Sequence, residues 1–217
     1  MRKIVSILAL VLSAAFVFGQ DISLSKAPAK LGVDLLDAIR MRAAARTFVA
    51  KEVPVADLST ILWAADGLKG TPDAVSSASK AGGTYPVSGD VNYINLYLLN
   101  AKGVFRYVPE SNLLKQISNK DARASVTPEN IATAAFMLLY TCDTTKLPPF
   151  VKNNPAMGSE LAVATASYSS QNAALAAGTL KLDSIVMFNI QAPAVATIAK
   201  LPKEETPLFI MQVGYTQ

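Results

Sequence analysis

Ala135-Phe-Met-Leu-Leu-Tyr-Thr-Cys142 is an unbroken apolar run bounded by polar and turn-forming residues. Its length suits a strand covered on both faces, and it reads as a buried central strand of a sheet. Working outward, Tyr93 to Leu99 alternates Ile94, Leu96 and Leu98 with Tyr93, Asn95 and Tyr97, the pattern of a second strand. Lys102-Gly103 turns the chain into Val104 to Val108, and Leu113 to Ile117 adds a short strand. Ile185 to Phe188 and a buried run from Leu208 to Val213 supply the rest. Between them lie helical stretches. Val55 to Asp66 carries Leu58, Ile61, Leu62 and Ala65 on one stripe, follows Val53-Pro54 and stops at Gly67. Trp63, off the stripe's centre, reads as packing or interface. Gly158 to Gly178 is a helix crowded with Ala, Ser and Thr, whose small side chains suit a core or a subunit contact. Pro193 to Ala199 is a short helix. Strands and helices follow one another without regular alternation or repeat, which predicts an α+β fold, a mixed sheet flanked by helices.

Composition narrows the chemistry. The 217 residues are 51% hydrophobic and 17% charged, the make-up of one compact domain. Histidine is absent and Cys142 is the only cysteine. A Ser-His-Asp or Cys-His nucleophile, a His or multi-Cys zinc site and an intrachain disulfide are therefore excluded. A net charge of +4, or +2 without Arg2 and Lys3, comes with no basic run or aromatic stripe, so nucleic acid is not an expected partner.

Residues 1–19 read as a signal peptide. Arg2 and Lys3 precede the apolar stretch Ile4 to Phe18, and a cut after Gly19 is expected. The apolar run falls short of the roughly 20 residues of a comfortable membrane span, so no anchor remains after cleavage. With no cysteine at the cut, a lipoprotein is not expected. The mature protein is expected to be exported, periplasmic or extracellular. Residues 20–32 form a polar lead-in, and the domain proper covers 33–217.

One stretch stands out chemically: Ile39-Arg-Met-Arg-Ala-Ala-Ala-Arg-Thr-Phe48. A helix capped by Asp34 and running through it would put Leu35, Ile39, Arg42 and Arg46 on one face. The first two are apolar, so the face should turn inward and carry two guanidinium groups with it. Unpaired buried charge is costly, so either nearby Asp and Glu side chains or a bound anion must meet them. Leu68 to Asp90, long and rich in Gly, Ser, Ala and Thr, reads as a functional or disordered loop.

Three stretches in order resemble one family. They are Arg42, Arg46, Thr47 and Phe48 followed by Leu58-Ser-Thr-Ile-Leu-Trp-Ala-Ala-Asp-Gly67; Thr84-Tyr-Pro-Val-Ser-Gly-Asp-Val-Asn92 leading to Gly103-Val-Phe-Arg-Tyr-Val-Pro109; and Ser170-Gln-Asn-Ala-Ala-Leu175 with Gln212-Val-Gly-Tyr215. From Val33 to Tyr215 the chain resembles the FMN-dependent nitroreductases. The resemblance implies an α+β homodimer with one FMN in each of two pockets at the dimer interface. Family enzymes pass a hydride from NAD(P)H through the flavin to nitro compounds, quinones or other acceptors. On that pattern Arg42 matches the phosphate-gripping arginine, whose planar fork can hold two oxygens. Arg46 matches the basic residue at the pyrimidine edge of the flavin. Ser88, Gly89, Asp90 and Asn92 match the loop that meets its ring. No catalytic side chain is assigned, since the reacting atom belongs to the cofactor.

The departures bear on function. Ala43 and Ala44 stand where the family has an Arg and a phosphate-binding hydroxyl, and Asp90 replaces an amide donor. Val186-Met-Phe-Asn189 replaces a glycine-containing flavin contact. Each lost phosphate hydrogen bond costs about 1.5 to 3 kcal/mol. NAD(P)H is scarce outside the cytoplasm, so an exported enzyme needs another donor or another flavin form. The leading expectation is an exported FMN oxidoreductase with a small-molecule acceptor. The alternatives are a non-catalytic dimer with a degenerate flavin pocket, binding another ligand or structural in role, and a plain secreted structural domain.

Overall fold

The structure, a computed structural model, describes residues 20–68, 83–89, 91–127 and 133–217. The expected signal peptide at 1–19, most of the loop from Leu68 to Asp90, and Asp90 itself lie outside the described residues. Seven strands build one sheet: β1 (Ile22–Ser23), β2 (Ile94–Asn100), β3 (Gly103–Val108), β4 (Leu113–Ser118), β5 (Phe136–Asp143), β6 (Asp183–Met187) and β7 (Glu205–Gly214). The helices are α1 (Leu35–Met41), α2 (Val55–Asp66), α3 (Arg123–Val126), α4 (Pro155–Thr179) and α5 (Ala192–Ile198). The strand order is β1-β4-β3-β2-β5-β7-β6, and every ladder is antiparallel. This is the α+β fold the chain order predicts. Among the described residues no helix is long and apolar enough to cross a membrane.

β5 sits between β2 and β7 and is buried on both faces, which is why its sequence does not alternate. Phe136, Leu138, Tyr140 and Cys142 face one cluster, shared with Leu58, Ile61 and Leu62 of α2 and Ala162, Ala166 and Ala173 of α4. Met137 and Leu139 face a smaller one, with Val195 of α5 and Val126 of α3. β2 divides in the same way, since Leu96 and Leu98 belong to the first cluster and Tyr97 and Leu99 to the second. The apolar and aromatic sides of β2 are thus both core.

α4 reaches the sheet and α2 through its small residues. Ser169 Oγ donates to the Ala65 carbonyl at 2.6 Å, and the Thr165 and Tyr93 hydroxyls share a 2.6 Å hydrogen bond. At Gly178 a Cβ would fall 2.9 Å from the Arg42 backbone, so this position must lack a side chain for α1 to end where it does.

α2 has the expected bounds, with Gly67 as its C-cap, and Trp63 lies at the surface with Nε1 donating to the Leu68 carbonyl. Asp34 caps α1 as expected, its carboxylate accepting from Asp37 N–H at 2.9 Å. The expected continuation to Phe48 fails: α1 ends at Met41, and Arg42 is an extended C-cap. From there the backbone is clipped to the sheet, with Ser184 N–H donating to Ala43 O and Val49 N–H to Tyr215 O at 2.8 Å. Burial of Phe48 against Gly214 reinforces it. Alanine's helix preference is worth only tenths of a kcal/mol per residue, about 0.7 at most against ordinary residues, and these tertiary contacts override it. The polar lead-in also does more than expected, because Ile22–Ser23 pairs with β4 as an edge strand.

Leu138 has no solvent exposure at the middle of β5. Leu138→Ala is expected to cost about 2 to 5 kcal/mol, read as a lowered urea midpoint with an unchanged slope.

Candidate functional site

Because α1 stops at Met41, the two arginines do not share a helical face. Arg42 is half-buried and Arg46 exposed, and Leu35 and Ile39 are 66% and 49% exposed, so the face does not turn inward. Burial therefore does not force a countercharge on them. Among the described residues neither guanidinium takes part in an ion pair or side-chain hydrogen bond. What holds them is backbone: Arg42 by Ala38 O and the close approach of Gly178, and the stretch after it by Ser184 and Tyr215. Phe188, from the stretch that departs from the family pattern, follows β6; it is 60% exposed, and its ring centroid lies 5.1 Å from that of Phe209 with the planes tilted by 53°.

Ser88 and Gly89 are elsewhere. Gly89 has a positive φ of 94°, suited to glycine, and leans on Pro148. Pro148 adjoins Leu147, which packs against Gly158 near the start of α4. Arg42 packs against Gly178 near its end. At about 1.5 Å per residue the helix between those glycines covers roughly 30 Å, so the two sets of site residues lie at opposite ends of it.

Asn92 stands behind the loop with its amide already engaged. Nδ2 donates to Asp66 Oδ1 at 3.0 Å and to the Tyr85 hydroxyl at 2.9 Å, while Oδ1 accepts from Ile94 N–H at 2.9 Å. Tyr85 in turn donates to Asp66 Oδ1 at 2.8 Å. Asn92 thus braces the loop from inside and offers no free side-chain group to a ligand. Burial raises the Asp66 carboxyl to about 7, against the two hydrogen bonds that favour its charged form. In the sequence Asp66 reads only as the last residue of a helix, and Tyr85 only as part of the Thr84–Asn92 stretch. The available signal was an acidic residue in the last turn, where the helix dipole disfavours negative charge.

Unused apolar surface completes the picture. Leu35, Leu36 and Ile39 of α1 and Met157 and Tyr168 of α4 are exposed. α4 is therefore core along one side and bare along the other. Cys142 lines a separate, largely apolar cavity of about 520 Å³ with Leu147, Val151 and Leu208, and burial pushes its thiol up to about 11.

Comparison with known proteins fits this architecture. The model of the Nitroreductase family matches residues 39–215. A candidate nitroreductase from Ralstonia eutropha JMP134 superposes with a TM-score of 0.78 at 22% identity, over 91% of this chain and 90% of that one. Another from Anabaena variabilis gives 0.72 at 20% identity, over 97% of this chain but 45% of that one. The NADPH:FMN oxidoreductase from Vibrio harveyi, solved with NAD+, gives 0.57 at 15% identity, over 84% of this chain and 68% of that one. No curated protein matches the chain in sequence.

Asp66 gives the site a measurable pH dependence. Its folded pKa lies above the usual 3.8, so between about pH 4 and about pH 7 the folded state keeps a proton that the unfolded state has released. Stability is then full at the acid end and falls as pH rises, by up to about 1.4 kcal/mol per unit. Urea unfolding across that window is expected to show the decline in the wild type, and Asp66→Asn, which keeps both acceptor bonds, is expected to flatten it.

Proposed function

Since the chain belongs to the nitroreductase family, whose members are in general FMN-dependent, we propose that it is an exported FMN-binding oxidoreductase that works as a homodimer. The observation that carries this reading is the separation of the two half-sites. Arg42 packs at one end of α4 and Gly89, by way of Pro148 and Leu147, lies toward the other, with roughly 30 Å of helix between, which argues against one FMN meeting both within a single chain. Two chains packed antiparallel through their α4 surfaces would bring the arginines of one copy to the loop of the other, twice. The bare apolar residues of α1 and α4 provide a surface for that contact.

The residues fit the cofactor in chemistry as well as placement. Arg42 has no protein anion among the described residues, and its planar donor fork suits a phosphate. Arg46 supplies positive charge for the pyrimidine edge, and the backbone around Ser88 and Gly89 supplies short-side-chain access to a ring. Asp90 belongs to the same loop. When bound, FMN would supply the redox chemistry, accepting a hydride or electrons from a donor and passing them to a small-molecule acceptor. The chain's own part is to bind, orient and shield it. Export, with residues 1–19 as leader, argues for a donor other than NAD(P)H.

A second reading rests on a specific feature. Ala44 has no hydroxyl to offer a phosphate, and Phe188 stands where the family has a glycine-containing contact. On this reading the protein keeps the dimer but has lost the flavin. Flavin titration of the purified mature protein, with sedimentation velocity, separates the two. The oxidoreductase reading expects a dimer that retains FMN through gel filtration. Arg42→Ala is expected to weaken FMN about ten- to a hundredfold. Leu36→Asp is expected to give monomers that bind none. A dimer with no flavin affinity would establish the second reading, and a monomer that binds FMN fully would overturn the shared-site argument.

A further inference from the structure

A cavity of about 330 Å³ opens at the end of the sheet where β2 begins and β3 runs into Pro109. Asn95, Arg106, Lys115 and Lys146 line it, and Arg42 and Arg46 do not. Arg106 and Lys115 are direct cross-strand partners on β3 and β4. Like charges placed so repel, and the pairing is unfavourable unless something negative lies between or above them. Neither is in an ion pair among the described residues.

Asn95 adds a second, independent feature. Arg106 Nη2 donates to Asn95 Oδ1 at 2.9 Å. A guanidinium has donors only, so the bond fixes which end of the amide faces it. The other end, Nδ2, is buried and has no partner among the described residues. Nδ2 is closed off from the cavity, so the part Asn95 plays there is to hold the Arg106 guanidinium in place through Oδ1. We propose that this cavity binds a small oxyanion, a carboxylate or phosphate group, held by Arg106 and Lys115, with Asn95 Oδ1 orienting the guanidinium.

Two carboxylates also line the space. Glu110 is exposed and forms no ion pair with these cations among the described residues. Asp66 already accepts from Tyr85 and Asn92, and its burial favours the neutral form below about pH 7. Lys146, tied to Asp143 at 3.1 Å, adds positive charge at the rim. Asn92 is common to this cavity and to the Ser88–Gly89 loop, so an anion here would sit directly behind the proposed flavin contact.

The test is calorimetric titration of the flavin-free full chain with inorganic phosphate and, separately, with succinate, sodium chloride holding ionic strength constant. Saturable binding of one or both is expected, the stronger arm naming the class of group. Arg106→Gln is expected to weaken it about tenfold or more, and Lys115→Gln, at an exposed position, severalfold. In an Arg42→Ala background, which removes any phosphate site at the proposed flavin pocket, saturable binding is expected to remain and to depend on Arg106 in the same way. Heat no greater than chloride produces, binding undiminished in both Arg106→Gln and Lys115→Gln, or binding lost only in Arg42→Ala would each overturn the proposal.

Discussion

The close seat of α4 on the sheet is the constraint from which the functional geometry follows. It depends on side chains small enough to bring backbones together: Ser169 reaching Ala65, Thr165 meeting Tyr93, and Gly178 leaving no room for a Cβ beside Arg42. Close packing of this kind tolerates little change in volume, so the helix acts as a fixed spacer. One of its ends sets the position of Arg42, and the other, through Leu147 and Pro148, sets that of Gly89. The distance between the half-sites is thus a property of the core. On the proposed flavin reading, a site so divided would call for a second copy, with the apolar residues left bare on α1 and α4 as the surface for it.

How much of this was legible in the sequence depends on whether local and tertiary signals agreed. They agreed for α2, where Pro54, an apolar stripe and Gly67 all mark the same helix, and for β5, where an eight-residue apolar run has one reading. They disagreed at Ala43-Ala44-Ala45, which by propensity continue a helix but whose backbone is taken by Ser184 and whose neighbour Phe48 is taken by the core. No local pattern announces a pairing across some 140 residues. The family resemblance survived the error because it rests on residue order, whereas the inference of a buried charged face rested on helical periodicity.

At the candidate site the sequence disclosed the participants better than their roles. Asn92 was visible as a member of the flavin-facing loop, yet its amide is spent on Asp66, Tyr85 and Ile94. Asp66 and Tyr85 are 19 residues apart in sequence, and nothing in either segment names the other. Their meeting is created where Gly83 and Thr84 return to Leu68 and Gly67 at the end of α2. A buried carboxyl held by two donors ties Tyr85 and Asn92 together in a pH-sensitive way, since each bond is stronger to the charged form that burial opposes.

The same distinction between backbone and side chain explains how the pocket can diverge while the fold persists. Ala43 and Ala44 hold the sheet through a carbonyl and a backbone bridge, for which any side chain serves. Losing a hydroxyl at Ala44 therefore costs the fold nothing and falls entirely on the grip for a phosphate. Arg42 is the converse case, since its guanidinium stabilises no element of the described structure. In the described structure the side chains at 42, 43 and 44 are thus free of the fold's own demands, which leaves them open to the proposed phosphate grip. On the proposed reading, a phosphate at this end of α4 is what would engage the Arg42 guanidinium.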